Sequence, residues 1–171
     1  MDHVDRILAQ WRRERPDLDV DPMGLIGRTK RLALFLTRGM EKTWADYGLN
    51  DASFDVLATL RRSGPPFRLS PGALMASTMV TSGTMTNRID QLEKAGLVER
   101  ARNPEDGRSF LIALTDKGFD VIDAAVAAHV RTQAELVAGL SQDERRRLDA
   151  LLKTFLADFE GAEKDAEGGD A

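Results

Sequence analysis

The sequence has no cysteine, only two histidines and no apolar run of the ~18 residues that a membrane span needs. Without cysteine, disulfide bonds, thiolate metal sites and thiol redox sensing are excluded. His3 and His129 are far apart in sequence and are interpreted as solvated or packed helix residues, not as metal ligands. No segment at the N-terminus is typical of a signal peptide, so we expect a cytoplasmic protein with no membrane partner.

Motifs that bind nucleotides or activate a nucleophile are also missing. The chain contains no Walker phosphate loop, no strand-linked GxGxxG and no GxSxG elbow. We therefore predict that the protein is not an enzyme, with no catalytic residues, no metal and no cofactor.

The net charge of −4 is unevenly distributed along the chain. Residues 28–118 hold 14 Lys/Arg against 10 Asp/Glu, whereas the two flanks together hold 10 Lys/Arg and 18 Asp/Glu. Affinity for a phosphate backbone depends on local positive charge, so the middle of the chain can bind DNA although the whole chain is acidic.

Apolar periodicity and capping residues predict a mainly helical chain. The expected helices cover residues 2–15, 23–46, 51–62, 71–79, about 82–95, 115–138 and 142–160. Two alternating segments, LVERAR and SFLIALT, flank the turn NPEDGR and predict a β-hairpin. Residues 161–171 hold no apolar side chain larger than alanine and are expected to be disordered.

A short helix, a tight turn, a longer helix and a hairpin follow one another in the order of a winged helix-turn-helix. The predicted fold class is mainly α with a small β-hairpin wing and a helical dimerisation region. We assign residues 1–47 to dimerisation and a ligand pocket, 48–115 to DNA binding, 116–160 to dimerisation and 161–171 to the tail.

The longer helix has two distinct faces on a helical wheel. Met85, Ile89 and Leu92 form an apolar stripe, which we expect to be buried. The side that faces away from the stripe carries side chains that can reach bases or phosphates, namely Thr84, Asn87, Gln91 and Lys94. At the helix start, Thr81 and Ser82 can donate to phosphate. A merely solvated face would show the same polarity.

The hairpin turn is surrounded by Arg100, Arg102 and Arg108. An arginine at a wing tip can enter the minor groove and read its width and potential. A pair between Asp106 and Arg108 would hold the tip in shape. These arginines favour a DNA-binding role for the polar side of the helix over the alternative that this side is merely exposed to solvent.

The segment TSGTMTNRIDQLEKAGLVERARNPEDGRSFLIALTDKG resembles the MarR family of bacterial regulators, including the Asp-Gly-Arg wing tip. The resemblance covers nearly the whole chain. It implies a homodimer whose first and last helices interlock, and whose two winged helices bind a pseudo-palindromic operator in double-stranded DNA, usually as a repressor.

The added N-terminal helix is similar to that of the urate-responsive branch of this family. The resemblance implies a pocket for urate or a related aromatic anion, formed by Trp11, Asp55, Arg62 and Arg88. An indole can stack on a planar ring, and arginine offers a fork of donors to an anion. Alternatively, Trp11 only anchors its helix, Asp55 and Arg62 are solvated because they are seven residues apart, and Arg88 contacts phosphate. Two further alternatives stay open. The effector could be a different molecule, or the protein could be a winged-helix module that binds protein instead of DNA, which would suit the net negative charge of the whole chain.

Overall fold

The computed structural model describes residues 1–78, 85–104, 106 and 109–167, with side chains described as far as residue 161. In these residues the helices are α1 (His3–Glu14), α2 (Asp21–Ala45), α3 (Asp51–Arg62), α4 (Pro71–Ser77), α5 (Met85–Lys94), α6 (Asp116–Leu136) and α7 (Gln142–Glu167). The strands are β1 (Arg68–Leu69), β2 (Val98–Arg102) and β3 (Phe110–Leu114). The predicted fold class, mainly α with a β-hairpin wing, is confirmed.

Side-chain caps explain where several helices begin. Asn50 accepts a hydrogen bond from the backbone N–H of Ser53 over 2.9 Å, and the Ser53 hydroxyl accepts from the Asn50 N–H over 2.8 Å. A capping box also precedes α7: the Glu144 carboxylate accepts from the Ser141 N–H over 2.8 Å, and the Ser141 hydroxyl accepts from the Glu144 N–H over 3.3 Å. Helix α2 begins two residues earlier than predicted, since Pro22 fits the first turn, where no backbone N–H is needed.

The β2–β3 hairpin and strand β1 together form a three-stranded antiparallel sheet in the order β1-β3-β2. Its register pairs Val98 with Leu114 and Arg102 with Phe110, while β1 pairs Arg68 with Ala113. The short segment before α4 therefore adds a third strand to the predicted hairpin. This pairing attaches the hairpin to the segment that joins α3 and α4.

The chain divides into two compact units, residues 1–132 and 133–171. The core of the first unit contains the predicted stripe of α5, so the burial of Met85, Ile89 and Leu92 is confirmed. The same core includes Trp44 from α2 and Ile122 from α6. The winged helix therefore packs together with the end of α2 and the start of α6.

Helix α1 packs on α2 through a small separate cluster. Val4 and Leu8 are buried there with Val20, and Arg28 of α2 forms ion pairs with Asp2 and Asp5. Trp11, nearer the C-terminal end of α1, remains 41% exposed.

The second unit contains the end of α6 and helix α7. The prediction that disorder begins at residue 161 is wrong, because α7 continues to Glu167. Alanine, glutamate and lysine have high helix propensity, and extending an existing helix costs far less than nucleating one. The apolar stripe of α7 is exposed, with Leu151 at 69% and Phe159 at 58%. No helix in the described residues is long and apolar enough to cross a membrane.

Candidate nucleic-acid interface and ligand pocket

Helix α5 presents its polar face to solvent. Asn87, Gln91 and Lys94 are all exposed, on the side away from the buried stripe. The arrangement follows from the helical period, because the three apolar residues hold the helix against the core in one orientation. Thr81, Ser82 and Thr84, which we predicted to contact DNA at the helix start, lie outside the described residues.

At the wing, Arg102 ends β2 and is exposed. The backbone carbonyl of Asp106 accepts hydrogen bonds from the Ser109 N–H over 3.0 Å and from the Ser109 hydroxyl over 3.1 Å. These bonds close the turn. Arg108 lies outside the described residues, so its contact with DNA and its pairing with Asp106 stay predictions.

Arg100 faces the helix α5 and not the solvent beyond the wing. Its guanidinium forms ion pairs with Asp90 and Glu93, and it lies 5.7 Å from the ring centroid of Phe110. The hydrogen bond with Asp90 raises the pKa of Arg100 further, so the group stays charged. Arg100 thus links β2 to α5. Arg100 was expected near the turn. Its partners Asp90 and Glu93, which form an acidic edge beside the polar face of α5, were not predicted.

A groove of about 360 Å³ separates α5 from the start of α3. Arg88, Asn87 and Gln91 line it from α5, and Asn50 and Ser53 line it from the other side. Arg88 is half-buried. Its Nη1 is buried and has no hydrogen-bond partner among the described residues. Because an unpaired buried donor is unfavourable, this nitrogen favours an incoming acceptor.

Asp55 and Arg62 contact each other along α3. Arg62 Nη1 lies 4.0 Å from Asp55 Oδ1, and the Asp55 side chain is only 15% exposed. Asp55 is therefore not solvated, whereas the Arg62 side chain, which reaches back two turns toward it, remains 54% exposed. Arg62 also donates to the backbone carbonyl of Ser77 at the end of α4.

Arg62 also lines a cavity of about 390 Å³ between α3 and α6. Most of its other walls are apolar or aromatic, and Arg61 and Asp123 form an ion pair at its edge. Cavities of this size are typical of small-ligand sites, where few polar groups orient a mainly apolar ligand.

The structure thus joins two of the four predicted pocket residues directly, Asp55 and Arg62. In the part of the chain that the structure describes, the Trp11 ring makes no hydrogen bond and no ring contact. Its convergence with Asp55, Arg62 and Arg88 stays a prediction.

Comparison with known proteins agrees with this architecture. Residues 47–109 match the MarR family model. The chain is 42% identical over 149 residues to the HTH-type transcriptional regulator PecS of Dickeya dadantii, and the match covers 87% of this chain and 90% of PecS.

Solved structures share the fold. A mutant Escherichia coli MarR crystallised with operator DNA is 27% identical, with a TM-score of 0.69, covering 80% of this chain and 95% of that one. Bordetella bronchiseptica BpsR, whose DNA binding is regulated by 6-hydroxynicotinic acid, is 24% identical with a TM-score of 0.68, covering 81% and 95%. With its winged helix and these relatives, the chain belongs to the MarR family of DNA-binding transcriptional regulators.

Proposed function

We propose that the protein is a homodimeric repressor that leaves its operator when it binds a small anionic aromatic ligand of the urate or purine class. The observation that carries this proposal is Arg88, whose Nη1 is buried without a partner among the described residues. Arg88 belongs to the same helix as the exposed Asn87 and Gln91. A ligand that engages Arg88 therefore acts directly on the helix that would contact DNA.

The DNA contacts would divide between bases and backbone. Asn87 and Gln91 have amide groups that can pair with adenine in the major groove, and Lys94 can bind guanine or phosphate. At the helix start, Thr81, Ser82 and Thr84 would contact phosphate or bases. Arg102 and Arg108 would bind at the minor groove, with Asp106 supporting the wing tip.

The proposed dimer would bury the apolar surfaces that a single chain leaves exposed. These surfaces lie on α2, with Leu25 and Phe35, and on α7, with Leu151, Leu156 and Phe159. Large exposed apolar stripes are typical of protein interfaces. Regions 1–47 and 116–160 would thus serve dimerisation, and residues 48–115 of both copies would bind a pseudo-palindromic duplex at half-sites about 34 Å apart.

The chemistry of the four proposed pocket residues supports this ligand class. Arg62 and Arg88 are planar donors suited to an anion or carbonyl group, and Trp11 offers an aromatic face for stacking. Asp55 would accept a hydrogen bond from a ring N–H. BpsR responds to 6-hydroxynicotinic acid, which is also a small anionic aromatic molecule.

The test measures affinity for the promoter duplex of the protein's own gene by fluorescence anisotropy, without ligand and with urate, xanthine or 6-hydroxynicotinic acid. We expect affinity to fall at least tenfold with one of them. We also expect Arg88→Gln to reduce this ligand-dependent ratio, while Arg13→Gln, on the exposed side of α1, leaves it unchanged. Unaltered affinity with all three ligands would make the effector class wrong but leave the DNA-binding regulator intact.

A further inference from the structure

The C-terminal end of α5 is closed by a left-handed turn at Gly96, whose φ is +70°. The Leu97 N–H donates to the carbonyl of Leu92 over 2.9 Å. The Gly96 N–H donates to the carbonyl of Glu93, also over 2.9 Å. This is the Schellman arrangement, which satisfies two of the last carbonyl groups of a helix. The carbonyl groups that follow need donors from outside the helix.

The start of α6 supplies donors to this turn. Lys117 Nζ donates to the carbonyl of Ala95 over 2.8 Å. The Thr115 hydroxyl donates to the carbonyl of Gly96 over 2.7 Å, and the Thr115 N–H donates to that of Leu97 over 3.2 Å. Three consecutive carbonyl groups at the end of α5 are therefore held by residues that begin α6.

The needs of α6 alone explain neither side chain. The Thr115 hydroxyl caps α6 by accepting from the Gly118 N–H over 2.9 Å, but a cap needs only an acceptor, whereas this hydroxyl also donates to Gly96. Lys117 lies in the first turn of α6, where a cation opposes the helix dipole. The same cation is favourable at the C-terminal end of α5. Both side chains therefore serve the junction between the two helices.

We propose that Thr115 and Lys117 are positioning residues for DNA binding, which fix the direction of α5 relative to α6 and thereby the spacing of the two half-sites that a dimer recognises. This inference rests on the dimer and the two-half-site operator of the proposed function, and it does not depend on the effector. Helix α6 belongs to the region proposed for dimerisation, whereas Asn87 and Gln91 on α5 would contact bases. A tilt at the junction would move these side chains relative to the dimer axis without altering the polar face itself.

The spacing of the operator makes this role measurable. Two recognition helices in successive major grooves lie about 34 Å apart, so one base pair inserted at the centre moves a half-site by about 3.4 Å and rotates it by about a tenth of a turn. A rigid junction does not follow this change. A loosened junction does, but it binds the original spacing less tightly because the helices are no longer held in the bound direction. Binding to a single half-site does not involve the spacing.

The experiment measures affinity by fluorescence anisotropy for full-length wild type, Lys117→Met and Thr115→Asp. The duplexes are the promoter of the protein's own gene, the same duplex with one base pair inserted at the centre of the operator, and a duplex that holds one half-site. Methionine keeps an apolar stem without a donor, and an ionised aspartate still caps α6 but cannot donate to Gly96. We expect each variant to bind the original operator roughly fivefold more weakly and to lose less than the wild type on insertion. Affinity for the single half-site and the salt slope should equal those of the wild type.

Conservative variants and an unrelated cation supply the controls. Lys117→Arg and Thr115→Ser keep the donors and should retain the spacing preference of the wild type. Arg13→Met removes an exposed cation of α1 and should leave affinity and spacing preference unchanged. The urea midpoints of Lys117→Met and Thr115→Asp should stay close to that of the wild type, because Lys117 is exposed and the cap of α6 remains.

Two results would overturn the proposal. A spacing preference that is unaltered in both variants would show that the junction does not set the spacing. An equal loss on the single half-site and on the whole operator, with a lower salt slope for Lys117→Met, would make Lys117 a phosphate contact instead. Failure of the proposed dimer is seen separately, because the wild type would then bind one half-site as tightly as the whole operator, and the roles of Thr115 and Lys117 would fall with it.

Discussion

The indole Nε1 of Trp44 donates a hydrogen bond to Nδ1 of His129 over 3.2 Å, joining the end of α2 to the middle of α6. The two rings stack with centroids 5.8 Å apart, and Phe54 packs on His129 at 4.6 Å. Because Nδ1 accepts this bond, the neutral imidazole must carry its proton on Nε2. Protonation of Nδ1 would break the bond with Trp44, and burial lowers the pKa of His129.

This contact predicts a pH-dependent stability. A histidine whose pKa is lower in the folded state binds fewer protons when folded, so its contribution is fully present above the unfolded pKa and declines as pH falls toward the folded pKa. We expect the free energy of unfolding to decrease below about pH 6.5, the ordinary histidine value. Urea denaturation at pH 5.0 to 8.0 checks this expectation.

The control for His129 is the other histidine. His3 is exposed on α1, so His3→Gln should retain the pH dependence of the wild type. His129→Gln keeps an acceptor for Trp44 and should flatten the profile. A profile that stays equally steep in His129→Gln would show that His129 is not the source of the pH dependence.

Gly118 is required by the close approach of α6 to the start of the wing. A Cβ at this position would lie 1.9 Å from the carbonyl oxygen of Leu97, which already accepts a hydrogen bond from the Thr115 N–H. We expect Gly118→Ala to reduce the free energy of unfolding by roughly 3 kcal/mol, because backbone must shift to accommodate the methyl group. Chemical denaturation followed by circular dichroism measures the change.

Gly72 in α4 is the matched control, since a Cβ there would meet open space. Gly72→Ala should be neutral or stabilise the protein by up to about 1 kcal/mol, as alanine is the better helix former. If both alanine variants had equal stability, the approach of Gly118 to Leu97 would not constrain the fold.

Two arginines of the same strand should have separable roles. Arg100→Met removes the ion pairs with Asp90 and Glu93 but keeps an apolar stem against Phe110, so we expect a stability loss of about 1 kcal/mol. Arg102→Met should keep the stability of the wild type. It should instead weaken operator binding and lower the slope of log affinity against log salt by about 1.

The measurements are urea denaturation and operator affinity at several salt concentrations. The assignment of these two residues would be wrong if Arg102→Met destabilised the protein as much as Arg100→Met, or left both affinity and salt slope unaltered.

The exposed face of α5 predicts different effects for its amide and its cationic side chains. Gln91→Ala should cost about 1–3 kcal/mol on the preferred operator and relax the preference for one base pair. If Lys94 contacts phosphate, Lys94→Ala should lower the affinity for the preferred operator and for altered duplexes by a similar factor. Competition binding against a set of single-base operator variants distinguishes the two patterns, and an identical pattern for both variants would remove Gln91 from base recognition.

Most elements could be predicted from the sequence because their causes are local. The period of Met85, Ile89 and Leu92 determines which side of α5 is buried, and therefore which side Asn87 and Gln91 present to solvent. Capping residues such as Asn50 and Ser141 determine where helices begin, through bonds that span three residues.

The end of the last helix was less predictable. Composition alone indicated disorder after residue 160, yet α7 continues to Glu167 because polar residues of good helix propensity extend an existing helix. The pairing of β1 with β3 was equally hard to predict, since a strand of two residues carries too little pattern to reveal its partner. Arg68 pairs with Ala113, 45 positions away in the chain.

The winged-helix order, the buried stripe and the polar face of α5 were thus determined by the sequence by itself, through periodicity and capping. Only the tertiary structure decided which partners the polar side chains meet: Arg100 faces Asp90 and Glu93, and Arg62 reaches Asp55. It also decided that the Thr59 hydroxyl and Arg88 Nη1 are buried with no partner in the described residues. The reason is physical. The hydrophobic period of a helix or strand determines which of its faces packs against the core, whereas the hydrogen-bond partners and the depth of burial of each polar side chain depend on which other elements the fold brings against it.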